Sequence, residues 1–358
     1  MNALYQRIVR LIETQGPLSI AQFMTLALHD PKAGYYATRQ PFGARGDFIT
    51  APEISQIFGE LLGLWLAQCW QDQDSPPHFH LVELGPGRGT LMRDVLRAGR
   101  TVPGFCEAAE IVLVEASPGL TAIQRETIKD SGVSARWLTH LDESLESAPL
   151  YLLANEFFDA LPVRQYVMSK DGWRERMVTE KNGTLDFALA AHPLKGLAVP
   201  EARGAAEPGA VFETSPAATA IAEEIAQTIA AKGGAALIAD YGHMGNGFGE
   251  TLQAVKGHDY TKVLEAPGEA DISSHVDFAA LAEAVKRARA FALGPADQGA
   301  FLDALGINIR AQLLSKANPK DAHVIASAVH RLTAPDQMGT LFKAMAILPE
   351  SVPKPAGF

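Results

Sequence analysis

Three glycines at alternate positions, Gly85, Gly87 and Gly89, end the apolar run His80-Leu81-Val82-Glu83-Leu84. A helical pattern of Leu91, Met92, Val95 and Leu96 follows at once. A strand that stops at glycines and turns straight into a helix makes a crevice at the carboxyl end of a parallel sheet, where open α/β sheets take nucleotide-like ligands. Glycine suits this place because a side chain would block a ligand lying on the backbone, and because tight turns often require positive φ. The helix opening at Gly89-Thr90 presents free N–H groups and a partial positive charge, which suit a carboxylate or phosphate.

The glycine spacing narrows the ligand. Dinucleotide sites read G-x-G-x-x-G, and phosphate loops end in a lysine. Here the spacing is G-x-G-x-G, no lysine follows, and Glu83 stands two residues ahead of the first glycine. This E-x-G-x-G-x-G resembles motif I of the class I S-adenosylmethionine (SAM) methyltransferases. A second apolar run, 110–114, ends in Glu115, 26 positions after Gly89. An acid at that strand end hydrogen-bonds the two ribose hydroxyls of a bound nucleoside. Ser117-Pro118 then starts a helix over 119–130. A third strand, 135–139, leads to Leu141 and Asp142, which are expected to border an adenine.

A fourth strand, 150–154, runs into Asn155-Glu156-Phe157-Phe158-Asp159. Its end lies beside the first strand across the switch point of the sheet, so the residues there face the reacting group. Asn155 offers a donor and an acceptor, and Glu156 and Asp159 offer carboxylates among aromatics, where a carboxylate holds a cation more tightly. A fifth strand covers 235–242. Between the fourth and fifth, Asp171-Gly172 and Asn182-Gly183 are hairpin turns, which predicts an antiparallel meander inserted over 164–210.

The remaining segments read mainly as helices. Residues 2–15 and 20–28 are helical, the second capped by Ser19. Arg45 and Asp47 sit in a glycine-flanked loop. Thr50, Pro52 and Glu53 then start one long, mostly buried helix to about Gln71. That loop is expected to close over the crevice. Asp271, His275 and Asp277 could be read as a metal or acid/base cluster, but a helix-capping turn is the preferred reading, so no metal site is expected. Helices follow over 277–289, 298–306, 307–315 and 319–332, and a strand over 338–348 ends the domain.

Composition excludes several classes. A net charge of −10 argues against nucleic acid as the main partner. Two cysteines, Cys69 and Cys106, are too few for a disulfide scaffold or a cysteine zinc cluster, and fit a reducing cytoplasm. No run of 18 apolar residues is present, so no membrane insertion is expected. The amphipathic start is acidic at Glu13 and lacks serine, unlike a cleaved presequence, and reads as part of the fold.

With these residues together, the chain resembles the MidA family of SAM-dependent methyltransferases, bacterial counterparts of a mitochondrial complex I assembly factor with protein-arginine methyltransferase activity. The matching stretches are 46–56, 83–90, 114–118, 155–162, 240–243 and 271–278. The resemblance implies an α/β fold: a class I SAM-methyltransferase (Rossmann-like) sheet over 73–163 and 211–358, an N-terminal helical segment or lid over 1–72, and the inserted antiparallel β region over 164–210. It implies SAM as cofactor and a protein substrate such as a respiratory complex I subunit. A homodimer is compatible with this reading. The expected cofactor residues are Glu83, Gly85, Pro86, Gly87, Gly89, Thr90, Glu115, Ala116, Leu141, Asp142 and Asn155. The expected catalytic residues are Glu156 first, with Asn155, Asp159 and Glu53. Three other readings stay open: a SAM-binding assembly factor without catalysis, a small-molecule methyltransferase, and a nicotinamide dehydrogenase, which the glycine spacing opposes.

Overall fold

The structure is a computed structural model and describes residues 2–38, 49–245 and 247–358. Arg45 and Asp47 lie outside the described residues. The chain forms two compact units, each built from three stretches of sequence.

The first unit comprises Met1–Phe48, Asp159–Ala220 and His243–Ala280. Its two leading helices form where the sequence signals them. Asn2 caps Ala3–Gln15 by accepting from the Tyr5 N–H, and Ser19 and Gln22 form a reciprocal capping box on Ile20–His29. The expected meander is present as strands Arg164–Ser169, Gly172–Lys181 and Thr184–Leu189, all antiparallel. Val211–Thr214, just ahead of the helix Pro216–Lys232 that Ser215 caps at the Ala218 N–H, is a strand paired with Arg164–Ser169. A small sheet over 253–273 completes the unit. Ile8, Ile20, Phe23 and Met24 from the helices share one core with Val178 and Ile272. The N-terminal helices and the inserted β region are therefore parts of one body.

The second unit comprises Ile49–Phe158, Ile221–Gly242 and Leu281–Phe358. Its main strands are β1 (Phe79–Leu84), β2 (Ala109–Val114), β3 (Ala135–Leu138), β4 (Leu150–Asn155), β5 (Gly234–His243), β6 (Phe291–Asp297) and β7 (Phe342–Leu348). The sheet path runs 3-2-1-4-5-7-6. Strands 3, 2, 1, 4 and 5 are parallel, while β7 is antiparallel to both β5 and β6. The central strands are buried along their length, which is why they read as continuous apolar runs rather than alternations. The path reverses between β1 and β4, and a topological switch point is where such sheets bind ligands.

Three elements of this unit differ from expectation. The single helix predicted from Thr50 to Gln71 is two helices, Ala51–Ile54 and Gln56–Gln71, because Ser55 is extended (φ −156°, ψ 133°) and its Oγ starts the second by accepting from the Ile57 N–H. The final strand begins at Phe342, after a helical turn over Met338–Leu341. β6 carries no clear apolar alternation and was not anticipated. Gly59 and Gly63 let Gln56–Gln71 pack directly on Thr90–Gly99: a Cβ on Gly63 would lie 2.8 Å from the Val95 Cα. Beside this contact the buried Glu60 carboxylate accepts from Arg310 Nε (2.7 Å) and Arg97 Nε (3.0 Å). Burial alone would raise its pKa, but the bonds and charges of the two arginines hold it below the ordinary range.

Among the described residues no helix is long and apolar enough to cross a membrane.

Candidate functional site

The carboxyl ends of β1, β2 and β4 gather most of the expected site residues within the second unit. Gly85, Gly87 and Gly89 all have left-handed φ (58°, 53° and 80°), which explains why glycine alternates here. A Cβ on Gly85 would meet Phe157 Cδ2 at 2.9 Å. The Gly89 N–H closes the turn on the Pro86 carbonyl at 2.7 Å. Gly89 opens the helix without a side-chain cap, and at its first position Thr90 Oγ1 donates to Glu53 Oε1 at 2.5 Å. This bond runs through the Thr90 side chain and ties the start of the helix to the segment that carries Glu53.

Glu115, just past β2, accepts from the Ser117 N–H (2.7 Å) on one oxygen and from Gln124 Nε2 (3.0 Å) on the other. The same Gln124 amide donates to the Gly87 carbonyl (2.9 Å), and its Oε1 accepts from Trp137 Nε1 (2.8 Å). Fully buried, Gln124 thus ties the glycine loop, the acidic strand end and β3 together. Sequence reasoning missed it, because a lone glutamine inside a helix carries no signal. Burial raises the pKa of Glu115, against the bonds from Ser117, Gln124 and Ala116.

Glu83 lies inside β1, almost fully buried. Among the described residues its Oε2 accepts no hydrogen bond, and burial pushes its pKa up to about 8, opposed by the Met92 N–H.

At the end of β4, Asn155 Nδ2 donates to Glu156 Oε1 (3.1 Å), which also accepts from the Ala51 N–H (2.9 Å). That bond fixes the orientation of the Asn155 amide. It leaves the buried Oδ1 without a donor among the described residues. Glu156 has φ 50°, rare for a non-glycine residue and costing on the order of 1 kcal/mol. The turn is held in place by the Glu156 N–H on the Ala239 carbonyl (2.9 Å) and by Asp240 Oδ2, which accepts from the N–H groups of Phe157 (3.2 Å) and Phe158 (3.0 Å). Asp240 is fully buried in β5, inside the matching stretch 240–243 but outside the expected site residues.

Other expected residues have contacts or exposure of their own. Asp142 caps the short turn Glu143–Ser147 through the Ser144 N–H (2.9 Å), beside the half-buried Leu141. Ala116 is exposed. Asp159 belongs to the first unit, where its carbonyl accepts from the Ser274 N–H. In that unit too, Asp271 accepts from the Tyr36 hydroxyl (3.0 Å). Asp277 pairs with Arg203 and caps the next helix at the Ala280 N–H, and the His275 N–H donates to Thr251 Oγ1. These contacts match the capping reading of that stretch.

The donor set fits a cationic nucleoside. Glu53, Glu83, Glu115 and Glu156 surround the strand ends, and Arg88, the one basic residue of the loop, is exposed. Such a site repels a pyrophosphate. It accommodates an ammonium, a sulfonium and ribose hydroxyls, and the buried Asn155 Oδ1 is available to accept.

Fold and site define a SAM-dependent methyltransferase, and the comparisons agree. The family profile of S-adenosyl-L-methionine-dependent methyltransferases matches residues 61–296. The protein arginine methyltransferase NDUFAF7, mitochondrial, of Mus musculus is 38% identical over 94% of this chain and 82% of its own length. The Xenopus tropicalis protein of the same name is 36% identical over 100% and 89%. A crystal structure from Burkholderia thailandensis, bound to S-adenosyl-homocysteine, superimposes with a TM-score of 0.87 at 30% identity, covering 97% of this chain and 92% of that one. The chain belongs to this methyltransferase family, and its cofactor is SAM. One expectation is corrected: a cytoplasmic location does not stand, because the relatives are named as mitochondrial proteins. A low cysteine count speaks of redox environment and not of compartment.

Proposed function

We propose that this protein transfers the methyl group of SAM to an arginine guanidinium of a partner protein. The carrying observation is the carboxylate-rich strand end, where Glu156 and the Asn155 carbonyl oxygen offer acceptors to a cation and the loop's basic residue, Arg88, is exposed. The names of the relatives support the same acceptor, since they are protein arginine methyltransferases. From the family resemblance, a respiratory complex I subunit is the first substrate to test.

SAM supplies a methyl on a sulfonium, already activated for in-line displacement, so the chain's task is positioning. The glycine turn gives the donor a backbone surface, with Pro86 and Thr90 bounding it. Glu115, oriented by Gln124 and Ser117, takes the ribose hydroxyls. Ala116, Leu141 and Asp142 border the base. Glu83 faces the donor's ammonium. An arginine side chain has a pKa above about 12, so its nitrogen attacks only as its proton is drawn away. Glu156 polarises the guanidinium, Asn155 orients it, and Glu53 adds negative potential. The nitrogen–carbon bond would form as the sulfur–carbon bond breaks, the donor would leave as a neutral thioether, and the guanidinium proton would pass to the Glu156 carboxylate and on to water.

Incubating the protein with methyl-labelled SAM and cell extract, then hydrolysing the labelled material, tests this. Label is expected on methylarginine from a protein band. Label in a small molecule would favour a small-molecule methyltransferase. SAM binding without any labelled product would favour an assembly factor without catalysis.

A further inference from the structure

At the amino-terminal edge of the same sheet, far from the glycine turn, His78, His80 and Glu110 converge. Their ligand atoms all lie within 4.8 Å of one another. His80 in β1 and Glu110 in β2 are register partners, so their side chains share one face of the sheet. His80 lies five positions before Gly85, about 16 Å along an extended strand.

The hydrogen bonds around His80 dictate its tautomer. Ser147 Oγ lies 3.0 Å from His80 Nε2 and spends its own proton on the Ser144 carbonyl (2.9 Å). The hydroxyl must therefore accept, and Nε2 carries the hydrogen. The lone pair is then on Nδ1, on a side chain only 2% exposed, and among the described residues Nδ1 makes no hydrogen bond. It faces Glu110 Oε2 at 3.5 Å. Two acceptors facing each other repel unless a cation stands between them. A proton there would draw the pair into a charge-assisted bond of about 2.7–2.9 Å, shorter than observed. His78 Nε2 lies 3.8 Å from the same oxygen. Donors on a tetrahedral zinc ion, with bonds of about 2.0–2.1 Å, sit about 3.4 Å apart.

We propose that His78, His80 and Glu110 bind a zinc-type divalent metal ion at this edge. Two imidazoles and one carboxylate are the donor chemistry that zinc selects. The exposed His78 and the half-buried Glu110 leave solvent to complete the coordination. Arg136 Nε binds the other Glu110 oxygen at 2.6 Å and holds the carboxylate toward the imidazoles, as outer-shell partners of metal sites do. Its positive charge lowers the affinity without blocking the position. The bound ion would pin the segment before β1 to β2, a structural staple separate from methyl transfer.

Calorimetric titration of the tag-free, chelator-treated full chain with zinc chloride tests the site, with magnesium chloride as control. One zinc per chain is expected, no magnesium binding, and a raised unfolding temperature with zinc. Replacing the exposed His78 (His78→Ala) is expected to leave the fold unchanged and weaken zinc binding about tenfold or more, and Glu110→Gln to do the same. Absence of one-to-one binding, or an affinity that His78→Ala changes less than this, overturns the proposal.

Discussion

At the scale of single residues, two carboxyl groups carry the testable chemistry. Glu156→Gln keeps the oxygen that accepts from Ala51 and Asn155 but removes the charge. Turnover is expected to fall roughly 10²-fold, with SAM affinity little changed by calorimetry; unchanged turnover would remove Glu156 from the reaction. Glu83 titrates differently in the two states. Burial raises its pKa from 4.5 to about 8, so between these values the folded protein holds a proton that the unfolded chain has released. Its contribution to stability is complete below pH 4.5 and is lost as pH rises through about 8. Glu83→Gln removes that loss, so the variant's melting temperature should gain on the wild type steadily from pH 5 to pH 8. A gap that stays constant over this range would contradict the assignment. The raised pKa values of Glu115 and Asp94 are common to both proteins and cancel in the comparison.

Among elements, the glycine turn depends on a helix that does not adjoin it in sequence. Gln124 in Pro118–Ile128 bonds Gly87, Glu115 and Trp137 at once. Gln124→Leu keeps the volume but leaves three partly buried polar groups without this partner, which costs about 1 kcal/mol or more. The expected outcome is weaker SAM binding, read by titration, with the turnover of the saturated enzyme affected less. Equal SAM affinity would mean that Glu115 needs no such support. The break at Ser55 has a related logic: it divides the predicted helix so that Glu53 reaches Thr90 while Gln56–Gln71 packs through Gly59 and Gly63 on the neighbouring helix.

For the molecule as a whole, the second unit is tied together by Glu60, which joins helices starting at residues 56, 90 and 307 through Arg97 and Arg310. Arg310→Ala leaves a buried carboxylate with only one arginine. A loss on the order of 2 kcal/mol is expected from urea unfolding, with methyl transfer at low temperature retained. A loss within error would show that Arg97 alone satisfies Glu60.

The parallel sheet and its glycine turn were legible because each depends on local chemistry: β1, β2 and β4 are continuous apolar runs ending in glycines or acids, and Ser19 and Ser117 are caps whose partners lie within three residues. β6 was not legible because its residues are half-exposed, with no periodic pattern. The fate of each acid was decided by contacts across tens or hundreds of positions. Glu53 bonds Thr90, Glu156 bonds Ala51, and Asp240 holds the turn at Phe157 and Phe158. The imidazole–carboxylate cluster arises only when His80 and Glu110 become neighbours in register. The sequence alone thus determined the fold class and the nucleoside crevice, since backbone propensity and apolar pattern act within a strand or helix. Which carboxylates support the structure and which are available to a ligand was decided by the tertiary structure, since hydrogen-bond partners are assigned by proximity in space.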